Sequence, residues 1–133
     1  MPTHSVVVVD ASALVELLIQ RTRAAAVEAA VGESEIAAPE FIHAETLSAL
    51  RGLERGGELT RDEVASAYGG LLSAPIETVP SQTLLHAAWL LREGIAMYDA
   101  FYVALAQQLG CPLITADLRL ARARPQGVAL ITV

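Results

Sequence analysis

Lysine is absent from this chain, and all nine basic residues are arginine. A P-loop, whose lysine reaches the nucleotide phosphates, is therefore excluded. An aspartate-based phosphotransfer domain, with Asp10 as acceptor, also lacks the lysine that would pair its phosphoryl group and stands only as a secondary alternative. Cysteine is nearly absent too. Cys111 is alone, so no internal disulfide forms, and a reducing compartment fits. Gly110-Cys111-Pro112 reads as a turn ahead of a buried strand, which favours a packed thiol over a nucleophile. His4, His43 and His86 are isolated, so no zinc-type cluster exists, and no G-x-S-x-G elbow is present. Although 53% of residues are hydrophobic, no apolar run approaches the length of a membrane span. Met1-Pro2-Thr3-His4-Ser5 lacks the layout of a secretion signal, so a cytoplasmic location is expected.

Aspartate is scarce, but three of the four aspartates sit where apolar runs stop or start. Asp10 follows Val6-Val7-Val8-Val9, Asp117 follows Leu113-Ile114-Thr115-Ala116, and Asp99 opens the run 100–109. Short β-branched runs alternating with longer helical stretches read as βαβ units. The spacing predicts strands at 5–9, 36–38, 76–79, 112–115 and 128–133. Helices are expected at 12–19, 22–31, 39–55, 60–72, 80–93, 98–109 and 118–123. Thr60 and Glu63 form an expected capping box, Pro39 is expected in the first turn of its helix, and Gly69-Gly70 either loosens a helix end or permits close packing. The whole reads as one domain, 1–133, of α/β class: a three-layer α/β/α sandwich around a central, mainly parallel sheet.

In such a fold the ligand crevice lies outside the carboxyl ends of the strands. Asp10 and Asp117 are aimed there, and Asp99 and Glu45, both on helices, complete a four-acid set. Each acid has an ordinary explanation. Asp10 and Asp99 suit helix caps, and Asp117 suits a turn. Glu45 is harder to dismiss, because its helical neighbours Phe41, Ile42, Ser48 and Ala49 are apolar or small, leaving a buried arginine as the ordinary partner. Thr115 offers a hydroxyl to orient a carboxylate or a water. Glu40 is a further acid whose place in a first helical turn is explained by the helix dipole.

Carboxylates gathered this way repel by about 4 kcal/mol per pair at ~4 Å and an effective dielectric of ~20. A divalent cation or proton uptake must offset that. Hard oxygen donors favour Mg²⁺, with Mn²⁺ as substitute, over zinc. The net charge of −6 at first opposes a polyanionic partner, yet setting the four acids aside leaves eleven acids against nine bases. Arg119, Arg122 and Arg124 follow Asp117 closely, and Arg51 and Arg55 follow Glu45; arginine forks suit phosphate.

Four segments then resemble a known family: Val6-Val7-Val8-Val9-Asp10-Ala11-Ser12-Ala13-Leu14, Pro39-Glu40-Phe41-Ile42-His43-Ala44-Glu45, Tyr98-Asp99-Ala100-Phe101-Tyr102-Val103-Ala104-Leu105-Ala106 and Leu113-Ile114-Thr115-Ala116-Asp117. In this order they resemble PIN-domain ribonucleases, and among those the VapC toxins of toxin–antitoxin pairs. The resemblance implies a Mg²⁺- or Mn²⁺-dependent endoribonuclease held inactive by a cognate VapB antitoxin and usually dimeric. By position, Asp10, Glu45, Asp99 and Asp117 match the family's acidic quartet, and Thr115 its hydroxyl residue. Some PIN nucleases carry a further acid after the fourth; here Leu118-Arg119-Leu120 follows, which leaves the number of metal ions open. Single-stranded or looped RNA is the expected substrate, since cutting in a shallow crevice requires an accessible phosphate. The antitoxin's apolar segment is expected in a groove between the helices around 12–31 and 39–72. A non-catalytic module, holding a structural cation and binding protein through its apolar surface, remains the alternative.

Overall fold

The computed structural model describes residues 5–133, so His4 lies outside it. Its elements run β1 (Val6–Val9), α1 (Ala11–Ile19), α2 (Ala24–Val31), β2 (Glu35–Pro39), α3 (Ile42–Arg55), α4 (Arg61–Ser73), β3 (Ile76–Val79), α5 (Leu85–Leu90), α6 (Met97–Leu109), β4 (Leu113–Thr115), α7 (Leu118–Ala123) and β5 (Leu130–Thr132). The sheet order is β3-β2-β1-β4-β5, and every neighbouring pair is parallel. From β1 the chain builds outward through β2 and β3, then returns to the other side of β1 with β4. The order therefore reverses between β1 and β4, where an α/β sheet opens a crevice.

Val7, Val8 and Val9 are all buried, as a central parallel strand covered on both faces requires. Helix α6 packs across β1, β2 and β4, α1 and α2 pack on β4, and α3 and α4 pack on α1. This is the expected three-layer α/β/α arrangement. The main core joins Val8, Val9, Leu14, Ile42, Tyr102, Leu105 and Ile114; Val15, Leu50, Leu59 and Ala67 form a smaller one where α1, α3 and α4 meet. The Thr60–Glu63 capping box is present at the start of α4. Of the two glycines, Gly70 serves close packing: a Cβ there would lie 3.1 Å from Leu18, whereas one on Gly69 would meet nothing. Among the described residues no helix is long and apolar enough to cross a membrane.

Two boundaries differ most from expectation. Pro39 closes β2 instead of opening α3, because the next residue continues the ladder: Glu40 donates its N–H to the Val79 carbonyl at 2.8 Å, and α3 starts only at Ile42. The helix expected over 80–93 begins as a 3₁₀ turn at Ser81–Leu84 and ends at Leu90. Its end tightens into short-range bonds from Leu91 to Ala88 and Arg92 to Trp89, after which Gly94 turns the chain at φ +85°.

Candidate active site

The β1–β4 pairing sets Val9 beside Ile114, so the residues just beyond them meet outside the sheet. Asp10 is 3% exposed and held from three sides. Its Oδ1 accepts from the Ser12 hydroxyl at 2.6 Å and the Ala13 N–H at 3.0 Å, and its Oδ2 accepts from the Thr115 hydroxyl. Thr115, fully buried, also accepts the Asp117 N–H at 3.0 Å. Ser12 in turn accepts the Ala116 N–H at 2.9 Å, so its hydroxyl ties the end of β1 to the end of β4.

Asp10 and Asp117 are both helix caps: Asp10 caps α1, and Asp117 caps α7 by accepting the Arg119 N–H at 2.9 Å. Capping explains neither helical acid. Asp99 lies within the first turn of α6, whose cap position is Ala96. Among the described residues Glu45 has no arginine partner. Its Oε1 accepts from the Tyr102 hydroxyl at 2.6 Å, across the packing of α3 against α6. Phe41 meets Tyr98, Phe101 and Tyr102 edge-to-face, with centroids 5.1, 5.4 and 5.6 Å away, and so braces that tyrosine.

The four acids share one electrostatic field. Asp99 is pushed up to about 6, first by burial, then by the charges of Asp117, Asp10 and Glu45, with Arg119 opposing. Burial also raises Glu45, against the Tyr102 hydrogen bond and with a contribution from Asp10. Asp10 is raised by burial, opposed by its bonds from Ser12, Thr115 and Ala13 and assisted by Asp117. Burial, followed by the bond to Glu45, pushes the Tyr102 hydroxyl upward, keeping it a proton donor.

Asp99 and Asp117 line one cleft of about 290 Å³ together with Arg119. The donors are all oxygens, and among the described residues neither Asp99 oxygen, Oε2 of Glu45, nor Oδ2 of Asp117 has a protein hydrogen-bond partner. Yet no three Asp, Glu, His or Cys side chains among them meet around one point able to hold an ion. Asp99 and Asp117 line one open cleft, Glu45 lines another, and Asp10 is buried. That suits Mg²⁺, which keeps several waters and binds through one or two carboxylates plus substrate phosphates.

The remaining polar candidates fall elsewhere. Glu40 accepts from the Ser81 N–H and hydroxyl, both at 3.1 Å, instead of joining the acids. His43 is half-buried on α3 and His86 exposed on α5. Burial raises the Cys111 thiol, which disfavours thiolate as expected for a packed cysteine. Tyr102 and Ser12 are site residues that the acid pattern alone does not single out. The available signals were the place of Tyr102 three residues after Asp99 on the same helix and of Ser12 two after Asp10.

The PIN domain family model matches residues 7–124. Ribonuclease VapC3 of Mycobacterium tuberculosis is 42% identical over 125 residues, covering 93% of this chain and 91% of that protein. The crystal structure of PAE2754 from Pyrobaculum aerophilum superposes with a TM-score of 0.66 at 25% identity, covering 95% of this chain and 83% of that one. That of VapBC2 from Rickettsia felis, bound to a promoter DNA fragment, gives a TM-score of 0.61 over 96% of this chain and 98% of that one; its 13% identity speaks to the fold alone. An acidic crevice at the β1–β4 switch point, a family match over most of the chain and close full-length kinship lead to one conclusion: the chain belongs to the PIN-domain family and, within it, to the VapC ribonucleases.

Proposed function

We propose that this chain is a Mg²⁺- or Mn²⁺-dependent endoribonuclease cutting single-stranded or looped RNA, and the toxin of a VapBC-type pair. The observation that carries the reading is the placement of Asp10, Glu45, Asp99 and Asp117 about the ends of β1 and β4, where burial first, and then the charges of the other three acids, lift Asp99 to about 6. Carboxylates whose burial and mutual charge disfavour their ionised forms are stabilised by a cation. Asp99 and Asp117 would hold it directly, and Asp10 and Glu45 directly or through water. When bound, such an ion lowers the pKa of water and offsets charge on the scissile phosphate.

The chain's own groups supply the rest. Arg119, which makes no ion pair among the described residues, faces the cleft of Asp99 and Asp117 and draws the phosphate in. Glu45 orients the attacking water and takes its proton at Oε2, since Oε1 is committed to Tyr102. Thr115 and Ser12 hold Asp10 in place.

A VapB-type antitoxin is the proposed inhibitor, consistent with the VapBC2 pair from Rickettsia felis. Its apolar segment would lie between α3 and α4, in a groove of about 410 Å³ lined by Leu47, Leu50, Val64 and Tyr68 with Arg51 and Arg61. A homodimer would use the exposed Leu85, Trp89, Leu90 and Met97. Incubating the protein with structured RNAs and Mn²⁺ tests the whole. Discrete fragments are expected, lost on adding EDTA and on adding the cognate antitoxin. RNA left intact with Mn²⁺, or cut equally in EDTA, would count against a metal-dependent nuclease and favour a binding module.

A further inference from the structure

A second cleft opens beside Glu45, and apart from that acid the proposed chemistry leaves its lining unused. Phe41, Ala44, Glu45, Ser48, Ala49 and Tyr98 surround a space of about 470 Å³. Tyr98 immediately precedes Asp99 and is 60% exposed. Its ring is not loose: Phe41 meets it at 5.1 Å and 80°, and Phe41 is itself wedged against Phe101 and Tyr102. At that angle Phe41 covers at most one face of Tyr98. The neighbouring wall, Ala44, Ser48 and Ala49, is made of small side chains that leave room for a flat group against the ring.

Charge sorts the two clefts. The first holds Arg119, a forked phosphate donor, beside Asp99 and Asp117, whose charges the proposed cation would offset. The second holds Glu45 and no cation, so a phosphate is repelled there while a neutral ring is not. A braced, exposed aromatic face beside a strand-cutting site is the chemistry on which unpaired bases stack. We propose that the Tyr98 cleft is a nucleobase subsite: Tyr98 stacks on the base of a nucleotide flanking the scissile phosphate, and the Ser48 hydroxyl meets that base's edge. The proposal rests on the ribonuclease reading above and adds where the substrate's base is held.

The test pairs Tyr98→Ala with abasic nucleotides placed singly on each side of the cut, in a single-stranded oligoribonucleotide that the wild-type protein cleaves. Tyr98→Ala is expected to lower kcat/KM by about 5- to 100-fold, mainly through KM, with the fold intact and only a small fall in thermal stability from the lost Phe41 pair. At one position the abasic nucleotide costs the wild type a similar factor and costs Tyr98→Ala little more, and Tyr98→Phe restores most of the loss. Unchanged kcat/KM, or losses that multiply at every position, overturns the subsite and leaves RNA cleavage standing. Binding of a random-sequence single-stranded RNA pool, against an abasic ribose-phosphate oligomer, is measured in EDTA in parallel. If the wild type cuts no RNA yet prefers the pool, and Tyr98→Ala erases that preference, the subsite stands while the ribonuclease reading falls. Altered self-association of Tyr98→Ala with base dependence intact assigns the ring to a protein interface and overturns the proposal.

Discussion

Replacing Asp99 with asparagine is expected to lower RNA cleavage by at least about 100-fold and, in EDTA, to stabilise the fold at neutral pH. The two effects share a cause. Asp99 is held at about 6 by burial and by the charges of Asp117, Asp10 and Glu45, against an ordinary value of 3.8. The folded protein thus binds this proton more tightly than the unfolded chain does. The associated stability is fully present below about 3.8 and is lost as pH rises through about 6. Asparagine, uncharged throughout, avoids that loss. Because the side chain is half-exposed, solvent screening reduces the gain to on the order of 1 kcal/mol at neutral pH. Thermal unfolding of both proteins in EDTA at about pH 4.5 and about pH 7.5 checks the sign, since the gap should be larger at the higher pH. Metal-dependent cleavage surviving in Asp99→Asn would remove Asp99 from the site.

Thr115→Val is expected to cost both stability and activity. The buried Thr115 hydroxyl donates to Asp10 and accepts from the Asp117 N–H, so one side chain secures two of the acids. Valine preserves the shape and deletes both bonds, leaving a buried carboxylate short of a donor. A loss of about 2–3 kcal/mol follows, with cleavage reduced by roughly 10- to 100-fold as Asp10 and Asp117 lose their tether. With that donor gone, the carboxyl of Asp10 is raised further, so the stability deficit is larger at neutral than at acid pH. Thr115→Ser keeps the hydroxyl and gives up about 1 kcal/mol for the methyl. Urea unfolding separates the cases, and equal midpoints for valine and wild type would show that Asp10 does not depend on this bond.

The parts of the site that follow from chain direction were legible in the residues. Four valines in a row announce a strand covered on both faces, and Asp10 at its end is then in the crevice whichever helices follow. Glu45 on an apolar face signalled a buried carboxylate. Its partner was not legible, because Tyr102 lies 57 residues away and reaches it only through the packing of α3 on α6. The role of Ser12 was not legible either, because its hydroxyl bridges two strands that are remote in sequence. Pro39 shows a similar limit: proline suits the start of a helix or the end of a strand, and the bond from Glu40 to Val79 decides between them. How tightly the acids converge was equally beyond the pattern, since spacing brings carboxylates to one crevice without setting their rotamers.

Thermal unfolding across a Mn²⁺ titration at about pH 7.5, run on the wild type and on Asp99→Asn, tests the shared cation most directly. The account predicts saturable stabilisation of the wild type, near 2.7 kcal/mol at about 100 times the dissociation constant, and a much smaller effect in the variant. A wild type indifferent to Mn²⁺, or equal shifts in both proteins, would contradict it.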